Sequence, residues 1–262
     1  MAVVTSADGT AIAFEPVGDG APVIVVDGAL CDRSANRPLA EQLAPRFTVV
    51  NYDRRGRGDS ADTAPYAVER EIEDLGALIA EAGGAASLYG HSSGAGLALH
   101  AAAHGLPVSK LVLHEPPYGA GSDEEVREAK QFAEDLEGLL ADDRRGDAVE
   151  LFMTITGMPP EMIAETRAHP WWSDAEAIAP TLAYDSAVMG DAGGGSIPVD
   201  IAARATPPAL VLSGGASPEW MIDVGRQLAE ALPDGRHAVL EGQEHNVAPA
   251  VLAPVLAEFF AS

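Results

Sequence analysis

The chain carries a single cysteine, Cys31, in 262 residues. No internal disulfide can form, which fits a reducing compartment. Positive charge is scarce, with 16 Lys and Arg against 40 Asp and Glu and a formal net charge of -24. Such a surface repels phosphate backbones and anionic headgroups, so neither nucleic acid nor a membrane is expected as a partner. No apolar run is long enough to span a bilayer, and residues 1–10 lack the basic and apolar regions of a secretory leader. The expectation is a soluble, cytoplasmic protein, monomer or homodimer. Signatures of phosphate and metal binding are also missing. Gly18, Gly20 and the triplet Gly193-Gly194-Gly195 do not make a dinucleotide fingerprint, and no Walker sequence occurs. His100 and His104 have i,i+4 spacing but lack the adjacent glutamate of a zinc-protease pair. No metal and no organic cofactor is expected.

What is present is an ordinary globular composition, 47% hydrophobic and 21% charged, long enough to bury a sizeable core. Two short β-rich runs, 2–5 and 11–16, flank the turn Asp8-Gly9 and read as a hairpin. Buried-type strands follow at 22–26, 47–52, 86–89, 110–114, 209–212 and 238–240. Helical patterns at 38–43, 69–82, 94–104, 218–231 and 248–260 alternate with them, the rhythm of a parallel sheet. Between Pro116 and about residue 200 the strand rhythm stops. Amphipathic patterns at 123–140, 147–156 and 160–168, then Trp171-Trp172 and the glycine triplet, read as a helical cap inserted after a sheet strand. The expected organisation is a core of 1–116 and 201–262 with a cap or lid at 117–200, placed where open α/β sheets bind ligands.

Gly90-His91-Ser92-Ser93-Gly94 joins a strand to an Ala-rich helix and has the form of a G-x-S-x-G nucleophile elbow. A sharp turn of this kind holds the serine in a strained conformation and frees the next backbone N–H to bind an oxyanion. A serine at its free pKa needs a base within hydrogen-bond reach, and His245 stands in the loop between the last strand and the last helix, where that base belongs. One oxyanion donor is the Ser93 N–H. The other is expected from Asp27-Gly28-Ala29-Leu30, with Gly28 and Ala29 as donors. For the carboxylate that orients the histidine, Glu115 closes the strand 110–114 just before Pro116-Pro117, while Glu219 and Asp223 are alternatives downstream. The segment Tyr52-Asp53-Arg54-Arg55-Gly56-Arg57-Gly58-Asp59-Ser60 is expected to tie loops together by ion pairs and not to act as an adhesion tripeptide.

Four features together resemble the α/β-hydrolase superfamily and, within it, the zearalenone-type lactone hydrolases. They are Asp27-Gly28, Gly90-His91-Ser92-Ser93-Gly94-Ala95, His114-Glu115 and Ala216-Ser217-Pro218. The superfamily resemblance covers essentially the full length and implies a mostly parallel sheet flanked by helices with a helical cap. In most members the acid follows the strand before the histidine strand, a position that here holds Ala216. In the lactone hydrolase group it is a glutamate on the strand after the serine strand, which implies Glu115. That group also binds substrate with a cap tryptophan, to which Trp171 or Trp172 corresponds.

The expected function is therefore a serine hydrolase with Ser92, His245 and Glu115 as triad, cleaving an ester or lactone of a small hydrophobic substrate through an acyl-enzyme. Trp171, Trp172, Leu30, His91 and Met153 are expected to line its site. Two other readings of the fold stand beside it: C–C bond hydrolysis or cofactor-free perhydrolysis, and a non-catalytic homologue that only binds a ligand.

Overall fold

The structure, a computed structural model, describes residues 1–262. Strands β1 (Ala2–Thr5) and β2 (Ala11–Val17) form an antiparallel hairpin. Gly9 in its turn takes a φ of 88°, a left-handed value open to a residue without Cβ. β3 (Ala21–Val26), β4 (Phe47–Tyr52), β5 (Ala86–His91), β6 (Val108–His114), β7 (Ala209–Gly214) and β8 (Gly235–Leu240) complete one eight-stranded sheet. Its order is β1-β2-β4-β3-β5-β6-β7-β8, antiparallel from β1 to β4 and parallel from β4 onward.

Both faces of the parallel part are covered, and the strands show why. Val23 and Val25 of β3 pack on one face, and Ile24 and Val26 on the other, so the run is apolar throughout. The second of these faces carries α2 (Val68–Glu81) and α3 (Ser93–Ala103). In α2, Ile72, Leu75, Leu78 and Ile79 recur at helical spacing and form one buried stripe. In α3 small residues dominate and nearly every position is buried, so the helix can sit deep behind the central strands. Leu39 and Leu43 of α1 (Arg37–Leu43) pack on the first face.

After β6 the chain leaves the sheet for six helices. They are α4 (Asp123–Ala141), α5 (Arg145–Ile155), α6 (Pro160–Arg167), α7 (Trp172–Ile178), α8 (Leu182–Met189) and α9 (Val199–Ala202). α4 starts on a capping box in which Ser122 and Glu125 satisfy each other's backbone N–H. The helices share an apolar core of their own, including Phe132, Leu136, Val149, Ile163 and Leu182. Where the segment departs and returns, it is stitched: Gly119 N–H donates to Gly195 O (2.8 Å) and Ile197 N–H to Gly119 O (3.3 Å). The sheet then resumes with β7, α10 (Glu219–Ala231), β8 and α11 (Pro249–Ala261), whose Leu252 and Leu256 join α1 on the first face.

Every strand and helix read from the sequence is present, with ends shifted by up to three residues. Three helices, α7, α8 and α9, were not anticipated. Each is eight residues long or shorter and adjoins Pro170, Pro180, Gly190 or Pro198, too short for a 3.6-residue period to emerge. No helix is long and apolar enough to cross a membrane.

Candidate active site

Ser92 stands between β5 and α3 with φ 57° and ψ -128°, a strained value for a residue with a Cβ. The flanking glycines permit it. A Cβ on Gly90 would lie 2.4 Å from Gly94 O, and one on Gly94 would lie 2.2 Å from Val26 O. Ser92 occupies the N-cap position of α3, yet its hydroxyl caps no backbone N–H. The twisted backbone turns the side chain away from the helix and leaves it free for other chemistry.

Of four non-glycine residues with positive φ, three belong to this site: Leu30 (54°), Ser92 and Glu115 (45°). Glu115 follows β6 directly, its side chain fully shielded from solvent. Its carboxylate accepts His245 Nδ1–H at Oε2 (2.7 Å) and Gly214 N–H at Oε1 (2.7 Å). Burial opposes its ionisation, but the His245 and Gly214 hydrogen bonds outweigh burial and hold the carboxyl below the ordinary value of 4.5. With Nδ1 committed as donor to an ionised partner, Nε2 of a neutral His245 is an acceptor. The alternatives lie elsewhere. Asp223 pairs with Arg226 at 3.0 Å on the surface, and Glu219 is exposed at the start of α10. Ala216, at the customary acid position, is exposed and donates its N–H to Gln243 O (2.8 Å), tying the loop after β7 to the loop that carries His245.

His91 closes β5, and its Nε2 bonds the main-chain carbonyl of His245 at 3.0 Å. Its ring lies 4.5 Å from that of His245 and 4.9 Å from that of His114. Burial, and then the nearby His245, push the His91 pKa down to about 4, so a neutral ring backs the His245 loop. His114, in turn, meets the Tyr89 hydroxyl at Nδ1 (2.8 Å).

The loop after β3 passes directly over the elbow: a Cβ on Gly28 would come within 2.9 Å of Ser92 Cβ. The Ala29 N–H has no acceptor within the protein, and the Ser93 N–H is the first of α3, without a carbonyl four residues earlier to bond. These are two free donors beside one free hydroxyl. Asp27, at the head of this loop, is 3% exposed; Asn36 Nδ2 donates to its Oδ1, and its Oδ2 has no partner. Burial pushes its carboxyl up to about 8 against the pull of Arg57 and Arg54. The folded protein thus holds this proton more tightly than the unfolded chain does. The associated stability is full below the unfolded value of 3.8 and is lost as pH rises through about 8. Melting curves should therefore show wild type losing stability between about pH 4 and 8 more steeply than Asp27→Asn; parallel profiles would remove Asp27 as the cause.

The remaining expected contacts divide. Leu30 is buried in the apolar cluster of the six helices, so the loop after β3 and that cluster touch. Met153 and Trp172, 5% and 6% exposed, belong to the same cluster. Trp172 is fixed further by its Nε1–H bond to Glu176 (2.9 Å), so packing is their first role. Trp171 lines an open surface depression with Glu165, Thr166 and His169, none of which belongs to the elbow, the loop after β3 or the His245 loop. No group of three or more His, Cys, Asp or Glu side chains is arranged as a metal site.

The sequence reading missed Asp185 altogether. It lies buried in α8 and receives Arg54, Arg57 and the Ser93 hydroxyl. The available signal was a lone carboxylate inside the apolar stretch Leu182–Met189. Arg54, Arg55 and Arg57 do tie loops by ion pairs, as expected, and all three are buried.

A strained serine between glycines, free N–H donors from two loops and an imidazole on a buried carboxylate occur here on one mostly parallel sheet. A model of the alpha/beta hydrolase family matches residues 28–251. The chain belongs to the alpha/beta hydrolase family. Among solved structures, an alpha/beta hydrolase from Sphaerobacter thermophilus is 53% identical, with a TM-score of 0.89 over 99% of this chain and 100% of that one. The enol-lactonase from Burkholderia xenovorans superposes with a TM-score of 0.70 at 24% identity, over 99% of this chain and 100% of that one, a likeness of fold. The N-formylmaleamate deformylase of Pseudomonas putida is 36% identical over 104 residues, 38% of this chain and 39% of the deformylase. The chain spans about half the length, or less, of the curated relatives it matches. As an alpha/beta hydrolase, it has the eight strands and flanking helices of that fold.

Proposed function

We propose that the protein is a serine hydrolase that cleaves a carboxylic ester or lactone of an uncharged hydrophobic substrate. Ser92 Oγ attacks the carbonyl carbon while His245 Nε2 takes its proton. Glu115 keeps the imidazole in the Nδ1–H tautomer and stabilises the imidazolium, and the Ala29 and Ser93 N–H groups receive the oxyanion. The imidazolium then protonates the leaving alkoxide, and water, deprotonated by His245, releases the acid from the acyl-enzyme. This sequence calls on no cofactor. The observation that carries the reading is the 2.7 Å bond between His245 Nδ1 and the buried Glu115 carboxylate.

The substrate class follows from charge. The net charge is -24, and the two arginines nearest the elbow, Arg54 and Arg57, are taken up by Glu71 and Asp185. Neither is free to pair with a substrate carboxylate, so an anionic acyl group is disfavoured. We take the helical segment 117–200 as the lid that supplies the apolar surroundings through its contact at Leu30. The sequence features shared with zearalenone-type lactone hydrolases support lactones as substrates. The local likeness to a deformylase supports a second reading, in which the same serine accepts an N-formyl group.

A fluorophosphonate probe tests the reading. The wild type should be labelled at Ser92 and should hydrolyse p-nitrophenyl esters or small lactones. A protein that remains unlabelled and inert toward the whole series is a ligand-binding homologue and not a hydrolase.

A further inference from the structure

One carboxylate reaches both sides of the oxyanion hole. Asp185 accepts the Ser93 hydroxyl at 2.7 Å, Arg54 Nη1 at 2.6 Å, and Arg57 Nη2 at 2.9 and 2.8 Å. Those two arginines extend the grip to the loop after β3. Arg57 Nη1 donates to Gly28 O and, at 3.3 Å, to Cys31 O; Arg54 Nη1 donates to Asp27 O at 3.2 Å. All four residues are buried, at 5% exposure or less. Asp185 arrives from α8, and Arg57 Nε also donates to Thr181 Oγ1 (3.1 Å) just before that helix.

The peptide bond gives this grip a direction. In a planar trans peptide the C=O and the following N–H point oppositely, so holding Gly28 O aims the Ala29 N–H. Holding Asp27 O aims the Gly28 N–H in the same way. On the other side, anchoring the Ser93 hydroxyl fixes the residue whose own N–H opens α3. The charges within the cluster balance, Arg54 and Arg57 against Glu71 and Asp185. What the cluster contributes is therefore placement.

We propose that Asp185, acting through Arg57 and Ser93, is a positioning residue for the oxyanion hole, which is assembled only while α8 is docked against the sheet. The inference rests on the reading above, in which Ala29 and Ser93 supply the oxyanion donors. A displacement of α8 moves both donors together, so the helical segment between β6 and β7 governs turnover as well as access. Oxyanion geometry matters in the transition state more than in substrate binding, so the effect belongs in kcat.

The test compares wild type with Asp185→Asn, Arg57→Lys and Asp74→Asn. Asp74 is the matched control: it forms an equally buried bidentate pair with Arg55, at 2.8 and 2.7 Å, and touches neither the oxyanion loop nor Ser93. For a p-nitrophenyl ester, Asp185→Asn and Arg57→Lys should lower kcat about 10- to 100-fold with KM within about 3-fold. Affinity for a trifluoromethyl ketone, which presents an oxyanion, should fall in step with kcat/KM. Asp74→Asn should lower Tm comparably and keep kcat within about 2-fold. Equal kcat losses in Asp74→Asn and Asp185→Asn at matched Tm, or unchanged kcat in Asp185→Asn, would reduce the cluster to scaffold and overturn the proposal. Should Asp185→Asn not fold, Ser93→Ala decides, since it removes the hydroxyl's bond to Asp185 and the one it accepts from Arg54 Nη1 at 3.4 Å, and no ion pair. A kcat drop of about 5-fold or more supports the clamp and an unchanged kcat overturns it. A wild type neither active nor labelled at Ser92 overturns the hydrolase reading and this inference with it. An active wild type with unaffected variants overturns the inference alone.

Discussion

Ser92→Ala should lower kcat for ester hydrolysis about a million-fold while leaving the melting temperature nearly unchanged. The two halves of this expectation have one cause. A serine at a helix N-cap ordinarily bonds a backbone N–H, and its loss to alanine costs about 1 kcal/mol. Ser92 holds that position but makes no such bond, because φ 57° and ψ -128° swing its side chain out of the capping arc. The fold thus forgoes a stabilising contact and keeps an unencumbered hydroxyl beside the free Ala29 and Ser93 N–H groups. Removing that hydroxyl takes away the covalent route. The backbone donors and the substrate contacts remain, and should sustain a residual rate about a thousand-fold above water. Stopped-flow release of p-nitrophenol and a thermal melt of the same preparation measure both quantities. A variant that loses stability but keeps turnover would identify Ser92 as a structural cap.

How much of this was legible in the sequence depended on whether a feature is local. The elbow is local: two glycines, a serine and the strand and helix around them fix one another over five residues, and the structure has Ser92 strained between Gly90 and Gly94 as that pattern requires. The strands of the parallel sheet were legible for the same reason, since runs such as 23–26 must be apolar on both faces. The pairing of Glu115 with His245 is 130 residues long-range, and it was expected from an empty place, Ala216, a carboxylate at a neighbouring strand end and the resemblance to the lactone hydrolases. Asp185 was illegible because its partners, Arg54, Arg57 and Ser93, come from two other parts of the chain. Its own helix is too short to display a period. The bond from the His91 ring to the His245 carbonyl was not legible, because residue type alone does not show which main-chain group a ring meets.

Glu115→Gln is expected to lower kcat about ten-thousand-fold with the fold retained, the scale found when a triad carboxylate becomes an amide. The glutamate has two donors to satisfy, Gly214 N–H at Oε1 and His245 Nδ1–H at Oε2. Gly214 is backbone and always a donor, so the single oxygen of a glutamine must face it. The glutamine NH2 then faces His245 Nδ1, which can remain a neutral partner only by becoming the acceptor. The ring proton moves to Nε2, the atom proposed to take the proton of Ser92, and the imidazole is then in the wrong tautomer for that role. Glu115→Asp, shorter by one methylene, retains the charge but cannot span both donors, and should fall between wild type and the amide. Glu219→Gln and Asp223→Asn should leave kcat within about 2-fold, as exposed side chains away from the imidazole. The pH dependence has a definite sign. The Glu115 carboxyl is depressed below its ordinary 4.5, so the stability it contributes is present above that value and is lost as pH falls through the depressed one. Wild type should therefore lose stability on acidification below about pH 4.5 more steeply than Glu115→Gln, whose side chain does not titrate. If Glu219→Gln or Asp223→Asn removed turnover while Glu115→Gln kept it, the imidazole would have its working carboxylate elsewhere, and the 2.7 Å bond would be structural alone.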